Sequence, residues 1–95
     1  MSYEAEIQRG KRAQEVLDNE VYTKAHADIE AEIIRLWRDA MNTDDREQLH
    51  MLLGLHGQVR TALESVMRSG QIAEAELSRK MGRAEQMAGF SARAA

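Results

Sequence analysis

The chain has 95 residues, 13 basic and 16 acidic, for a formal net charge of −3, and it contains neither cysteine nor proline. That length limits it to one domain, and the missing thiols exclude a disulfide framework, a thiolate metal site and a cysteine nucleophile. The charge is too near neutral to demand a nucleic-acid partner; the longest apolar run, residues 51–53, ends at Gly54, so neither a membrane span nor a signal-peptide core can be placed and the chain reads as soluble.

Only four aromatic residues (Tyr3, Tyr22, Trp37, Phe90) interrupt a composition rich in good helix formers, which predicts an all-α fold. In residues 4–17, Ile7, Ala13, Val16 and Leu17 fall within half of a helical wheel, and Asp18 and Asn19 close a short first helix. A second helix, about 20–41, carries Tyr22, Ala25, Ile29, Ile33, Leu36, Trp37 and Ala40 on one side, with Asp28, Glu30, Glu32, Arg35 and Asp39 outward. Asp44 followed by Glu47 has capping-box spacing and predicts a third helix over about 45–69, stopped by Gly70 in the left-handed conformation. Ile72, Ala73 and Leu77 suggest a short fourth helix. Residues 81–95 read as a flexible basic tail beyond a domain of residues 1–80.

Leu49, Leu52, His56, Val59, Leu63 and Val66 recur in steps of three and four, which is a coiled-coil seam. Because so few residues connect the second and third helices, the two are expected to fold back as a long antiparallel hairpin. The expected packing interface is Tyr22, Ile29, Ile33, Leu36, Trp37, Leu49, Leu52, His56, Val59, Leu63 and Val66. A second edge, Met51, Leu55, Ala62 and Met67, is more than the short first helix can cover in full, and a second copy of the chain could cover it, which points to a homo-oligomer.

The order of Leu17 and Asn19, then Ile33, Ile34 and Trp37, the Asp44, Arg46, Glu47, Leu49 entry, Val59, Arg60, Leu63 and Glu64, and the Gly70, Ile72, Ala73 exit resembles a family of small helical proteins of tailed-bacteriophage and prophage genomes, generally without an assigned role. The resemblance covers about residues 8–77, and its motifs mark helix ends rather than chemistry. It implies a viral protein of the particle or its assembly, found in the host-cell cytoplasm or the virion, with capsid, portal or other assembly proteins as partners.

Glu47 and His50 have the Glu-x-x-His spacing of carboxylate-bridged metal centres, but one copy of the motif supplies too few ligands and Glu47 suits the cap better. His56 on the seam is expected to be a polar residue that fixes register. Gly54 and Gly57 either break the third helix or allow close packing of another; the apolar period continues in phase across both, which favours packing. With no phosphate loop and no nucleophile–base set, the sequence predicts no catalytic, cofactor or metal site and a non-enzymatic structural or interaction protein. The alternative is a DNA-binding component of a packaging or regulatory complex that uses Arg79, Lys80 and Arg83, with Arg9, Lys11 and Arg12 as further basic groups.

Overall fold

A computed structural model describes the backbone of residues 2–94 and the side chains of residues 2–89. Within them the chain is all-helical: α1 spans Tyr3–Asp18, α2 Glu20–Asp39 and α3 Thr43–Ala94, the last 52 residues long.

Local polar groups set each boundary. Ser2 caps α1 by accepting from the Ala5 N–H at 3.2 Å, and Glu4 and Glu6 place negative charge at the positive end of the helix dipole. Asn19 is the sole residue between α1 and α2, with ψ at 121°. Its N–H donates to the Val16 carbonyl at 3.1 Å, while its side chain accepts from the Tyr22 N–H at 3.0 Å and so caps α2. The Thr23 hydroxyl donates across the break to the Leu17 carbonyl at 3.2 Å, which ties the two helices end to end.

At the start of α3 the expected Asp44–Glu47 box is displaced. The Asn42 side chain accepts from the Asp45 N–H at 2.8 Å and donates to the Asp45 carboxylate at 2.8 Å, so capping is complete before Asp44 is reached. The expected stop at Gly70, and with it a separate fourth helix, is also corrected. No glycine among the described residues has positive φ, and α3 passes unbroken through Gly54, Gly57 and Gly70. A helical glycine costs only up to about 1 kcal/mol relative to alanine, too little to end a helix that packing supports. The helix also continues through 81–94; of the expected tail, Ala95 and the side chains from Phe90 onward lie outside the described residues.

Gly70 serves instead as a site of close approach. A Cβ on Gly70 would lie 2.7 Å from the Gly10 Cα, and a Cβ on Gly10 would lie 2.7 Å from the Gly70 Cα, so α1 and α3 touch backbone to backbone. Ala13 and Ala73, one turn further along each helix, are buried beside this crossing. From there the partners on α3 step backward as α1 and α2 step forward: Tyr3 meets Lys80, Gly10 meets Gly70, His26 meets His56 and Trp37 meets Arg46. The molecule measures 81 × 25 × 17 Å with a radius of gyration of 22.1 Å, against about 12 Å for a compact chain of this length.

Replacing glycine should therefore have opposite effects at different places. Gly70→Ala forces two backbones apart and should lower stability by about 1–3 kcal/mol. Gly54→Ala and Gly57→Ala place a methyl where nothing lies within 4 Å, and each should raise stability by about 0.5–1 kcal/mol. Urea unfolding followed by circular dichroism measures all three. In the same assay Asn42→Ala should cost about 0.5–2 kcal/mol through the lost cap, whereas Asp44→Ala should cost much less.

Candidate interaction face

Two helices laid side by side can each bury only a strip of their surface, so any wider apolar face remains outside. Among the described residues only Ala13, Ile33 and Ala73 are buried apolar side chains. Leu36 and Ala40 of α2, with Leu49, Leu52 and Leu55 of α3, line an open groove of about 720 Å³ edged by Asp39, Asp45 and Gln48. Leu36, Leu52 and Leu55 are 40%, 48% and 58% exposed. Two helical turns away along each helix, the exposed Ile29 and Val59 extend the same stripe, since residues seven apart share a face.

The expected packing residues divide into three groups. Ile33 is buried; Tyr22, Trp37, Leu49, His56, Leu63 and Val66 are half-buried; Ile29, Leu36, Leu52 and Val59 are exposed. Leu53 and Met67, outside the expected seam, are half-buried too, whereas Met51 and Leu55 of the second edge are exposed. Nothing lies within 4 Å of where a Cβ on Gly54 or Gly57 would stand, so the close packing expected there does not occur within the chain. Sequence reasoning missed the small-residue crossing altogether, although Gly10 with Ala13 and Gly70 with Ala73 repeat one spacing on both sides.

The half-buried residues are held by specific polar contacts. At one end the Arg46 guanidinium lies 4.4 Å from the centre of the Trp37 ring, and at the other Lys80 lies 4.8 Å from the Tyr3 ring and donates to its hydroxyl at 2.8 Å. Between them His26 and His56 stack with ring centroids 3.9 Å apart. His56 was read as a lone polar residue on a seam; His26 is the partner that reading lacked. The Tyr22 hydroxyl beside this pair is buried without a hydrogen-bond partner, an arrangement that costs stability.

Surface charge is organised along individual helices. Lys24 pairs with Asp28 at 2.9 Å and Arg60 with Glu64 at 3.1 Å, while Arg35 bridges Glu32 and Asp39. Of the basic groups considered for nucleic acid, Lys80 is engaged by Tyr3 and Arg79 lies 4.0 Å from Glu76, yet both remain exposed, as do Arg83 and the α1 groups Arg9, Lys11 and Arg12. Glu47 and His50 share a shallow recess with Trp37 and Arg46, and no second carboxylate–histidine pair joins them there. Compared with known protein families, curated proteins and solved structures, the chain has no match.

The Arg35 fork has a pH signature. Its hydrogen bonds to Glu32 hold that carboxyl below the usual carboxylate range, against an opposing effect of desolvation and with its positive charge as the lesser help. A depressed folded-state pKa means that the pair's support is present above the unfolded carboxylate pKa and is lost as pH falls through the folded one. Both side chains are solvent-exposed, so the effect on global stability should be slight. Arg35→Met should shift the Glu32 titration upward toward its ordinary value, as followed by carboxyl carbon NMR.

Proposed function

We propose that this chain is a non-enzymatic structural and interaction protein: an antiparallel helical hairpin that oligomerises with further copies of itself through the face bearing Ile29, Leu36, Leu52, Leu55 and Val59. The exposed apolar stripe carries this reading. The accessible surface is 7543 Å² for a 10.8 kDa chain, whereas a compact monomer of that mass exposes about 5,500 Å². The excess, about 2,000 Å², is of the order buried in a specific protein–protein interface. Pairing two such faces would convert thin two-helix layers into a four-helix core, with Asp39, Asp45 and Gln48 at its rim.

The wider setting proposed is the particle of a tailed bacteriophage or its assembly, in the host-cell cytoplasm or the virion, with capsid, portal or other assembly proteins as further partners. That setting rests on the helix-boundary pattern of the sequence. The alternative is DNA binding through Arg79, Lys80 and Arg83. The engagement of Lys80 by Tyr3 and the formal net charge of −3 favour the first reading.

Sedimentation equilibrium at micromolar concentration should show a dimer or larger species. Leu52→Asp combined with Leu55→Asp should yield a helical monomer, because both positions are exposed in the single chain and their charges are penalised only on association. A wild-type monomer at high concentration would overturn the oligomer reading. DNA affinity that falls steeply with salt, and less steeply once Arg79, Lys80 and Arg83 are replaced by Gln, would instead favour the alternative.

A further inference from the structure

The histidine pair lies on the α2–α3 side of the molecule, where Ile33 is the one buried apolar side chain of α2 among the described residues. The rings are nearly parallel, 24° apart, and each reaches across to the other helix. Nε2 of His26 lies 3.2 Å from the His56 carbonyl oxygen, and Nε2 of His56 lies 2.8 Å from the His26 carbonyl oxygen. A carbonyl oxygen only accepts, so each Nε2 must carry the proton and donate it. Each Nδ1 is left with a free lone pair.

Glu30 stands one turn beyond His26 on the same helix. One ring nitrogen of each histidine and a carboxylate oxygen of Glu30 lie within 4.8 Å of one another. No donor among the described residues hydrogen-bonds the Glu30 carboxylate or either Nδ1. Three side chains that each offer a metal-ligand atom thus lie together, and the two rings would turn out of their stack to face a common ion. A cation is the chemical complement of that arrangement.

From this geometry we propose that His26, Glu30 and His56 form a binding site for a divalent transition ion of the zinc class, which pins α2 to α3. Two imidazoles and one carboxylate suit such an ion and disfavour magnesium or calcium, which prefer all-oxygen shells. A histidine that binds metal through one nitrogen characteristically donates its other N–H to a carbonyl or carboxylate, which fixes tautomer and ring direction. Both histidines already make that bond to the opposing main chain. Ligand atoms around tetrahedral zinc sit about 3.3–3.5 Å apart, closer than the limit observed here, and the exposed Glu30 side chain is free to rotate inward. The fourth position stays open to water.

The test uses the full chain, freed of metal with a chelator and titrated at neutral pH with zinc and, separately, cobalt. Calorimetry should show one zinc per chain, the melting temperature should rise with zinc and fall back with EDTA, and cobalt should give the visible absorption of a low-coordinate nitrogen and oxygen site. Glu30→Gln, at an exposed position that leaves folding intact, should weaken zinc binding by at least the about 10–100-fold that losing even a supporting partner costs. His26→Gln and His56→Gln, with helicity checked by circular dichroism, should do the same, and His50→Gln should bind as the wild type does. An absence of binding heat together with an unchanged melting temperature would overturn the proposal, leaving the pair as two neutral rings satisfied by carbonyls. So would wild-type affinity in Glu30→Gln, or one zinc for every two chains, which would place the ion between copies.

Discussion

Everything else in the molecule depends on the backbone contact between Gly10 and Gly70. Any Cβ at either position would enter the space of the other main chain, so this pair alone admits the closest approach of α1 and α3. Ala13 and Ala73 extend the contact by one turn on opposite sides of the crossing. Fixing one residue of α1 against one of α3 fixes the register of the remaining pairs, because the rise per residue is the same in both helices. Tyr3 then falls opposite Lys80 without having to select its partner, and the one-residue break at Asn19 brings α2 onto α3 with His26 opposite His56.

The same crossing accounts for what the molecule leaves exposed. Small residues bring helices close but contribute little apolar area, so burial of Gly10, Ala13, Gly70 and Ala73 cannot supply a core of ordinary size. On the α2 side larger groups hold the helices, and they are mixed in character: Ile33 is apolar, Trp37 is covered by a cation, and His26 and His56 bond to main-chain carbonyls. Each solution fills a narrow strip. The flank from Ile29 to Val59 faces outward as a consequence of having two layers rather than four.

Composition and period were enough to read helix content, the Asn19 boundary and the apolar character of α2. They could not distinguish which flank of α3 faces inward. Leu52 and Leu53 are adjacent and chemically identical; only the register set at Gly70 decides that Leu53 is the more covered and Leu52 the more exposed. Gly70 was misread because the same residue type serves left-handed helix ends and close crossings, and the two uses differ only in what lies opposite. The cap at Asn42 was missed for a related reason: Asn42 and Asp44 are both good capping residues, and the earlier one starts the helix. His26 drew no attention because its significance lies in a residue thirty positions away. Its spacing to Glu30 was visible, but a single i, i+4 pair on an acidic helix carries no chemistry until His56 is placed against it.

The break at Asn19 has a mechanical meaning. Along the rod, α3 is one continuous column of hydrogen bonds, whereas the opposite column is cut once, between the Gly10–Gly70 and His26–His56 contacts. A missing turn of helical bonding is where a helix bends most readily. Bending stiffness is therefore uneven: α3 resists curvature along its length, and compliance concentrates at the level of Asn19, restrained by the Thr23–Leu17 hydrogen bond. Two segments, one gripped by glycines and the other by histidines, can change their mutual angle there only as far as α3 itself bends, each keeping its own packing against it. An assembly built from such rods could follow a curved surface by flexing at one level in every subunit, with no change of register at any contact.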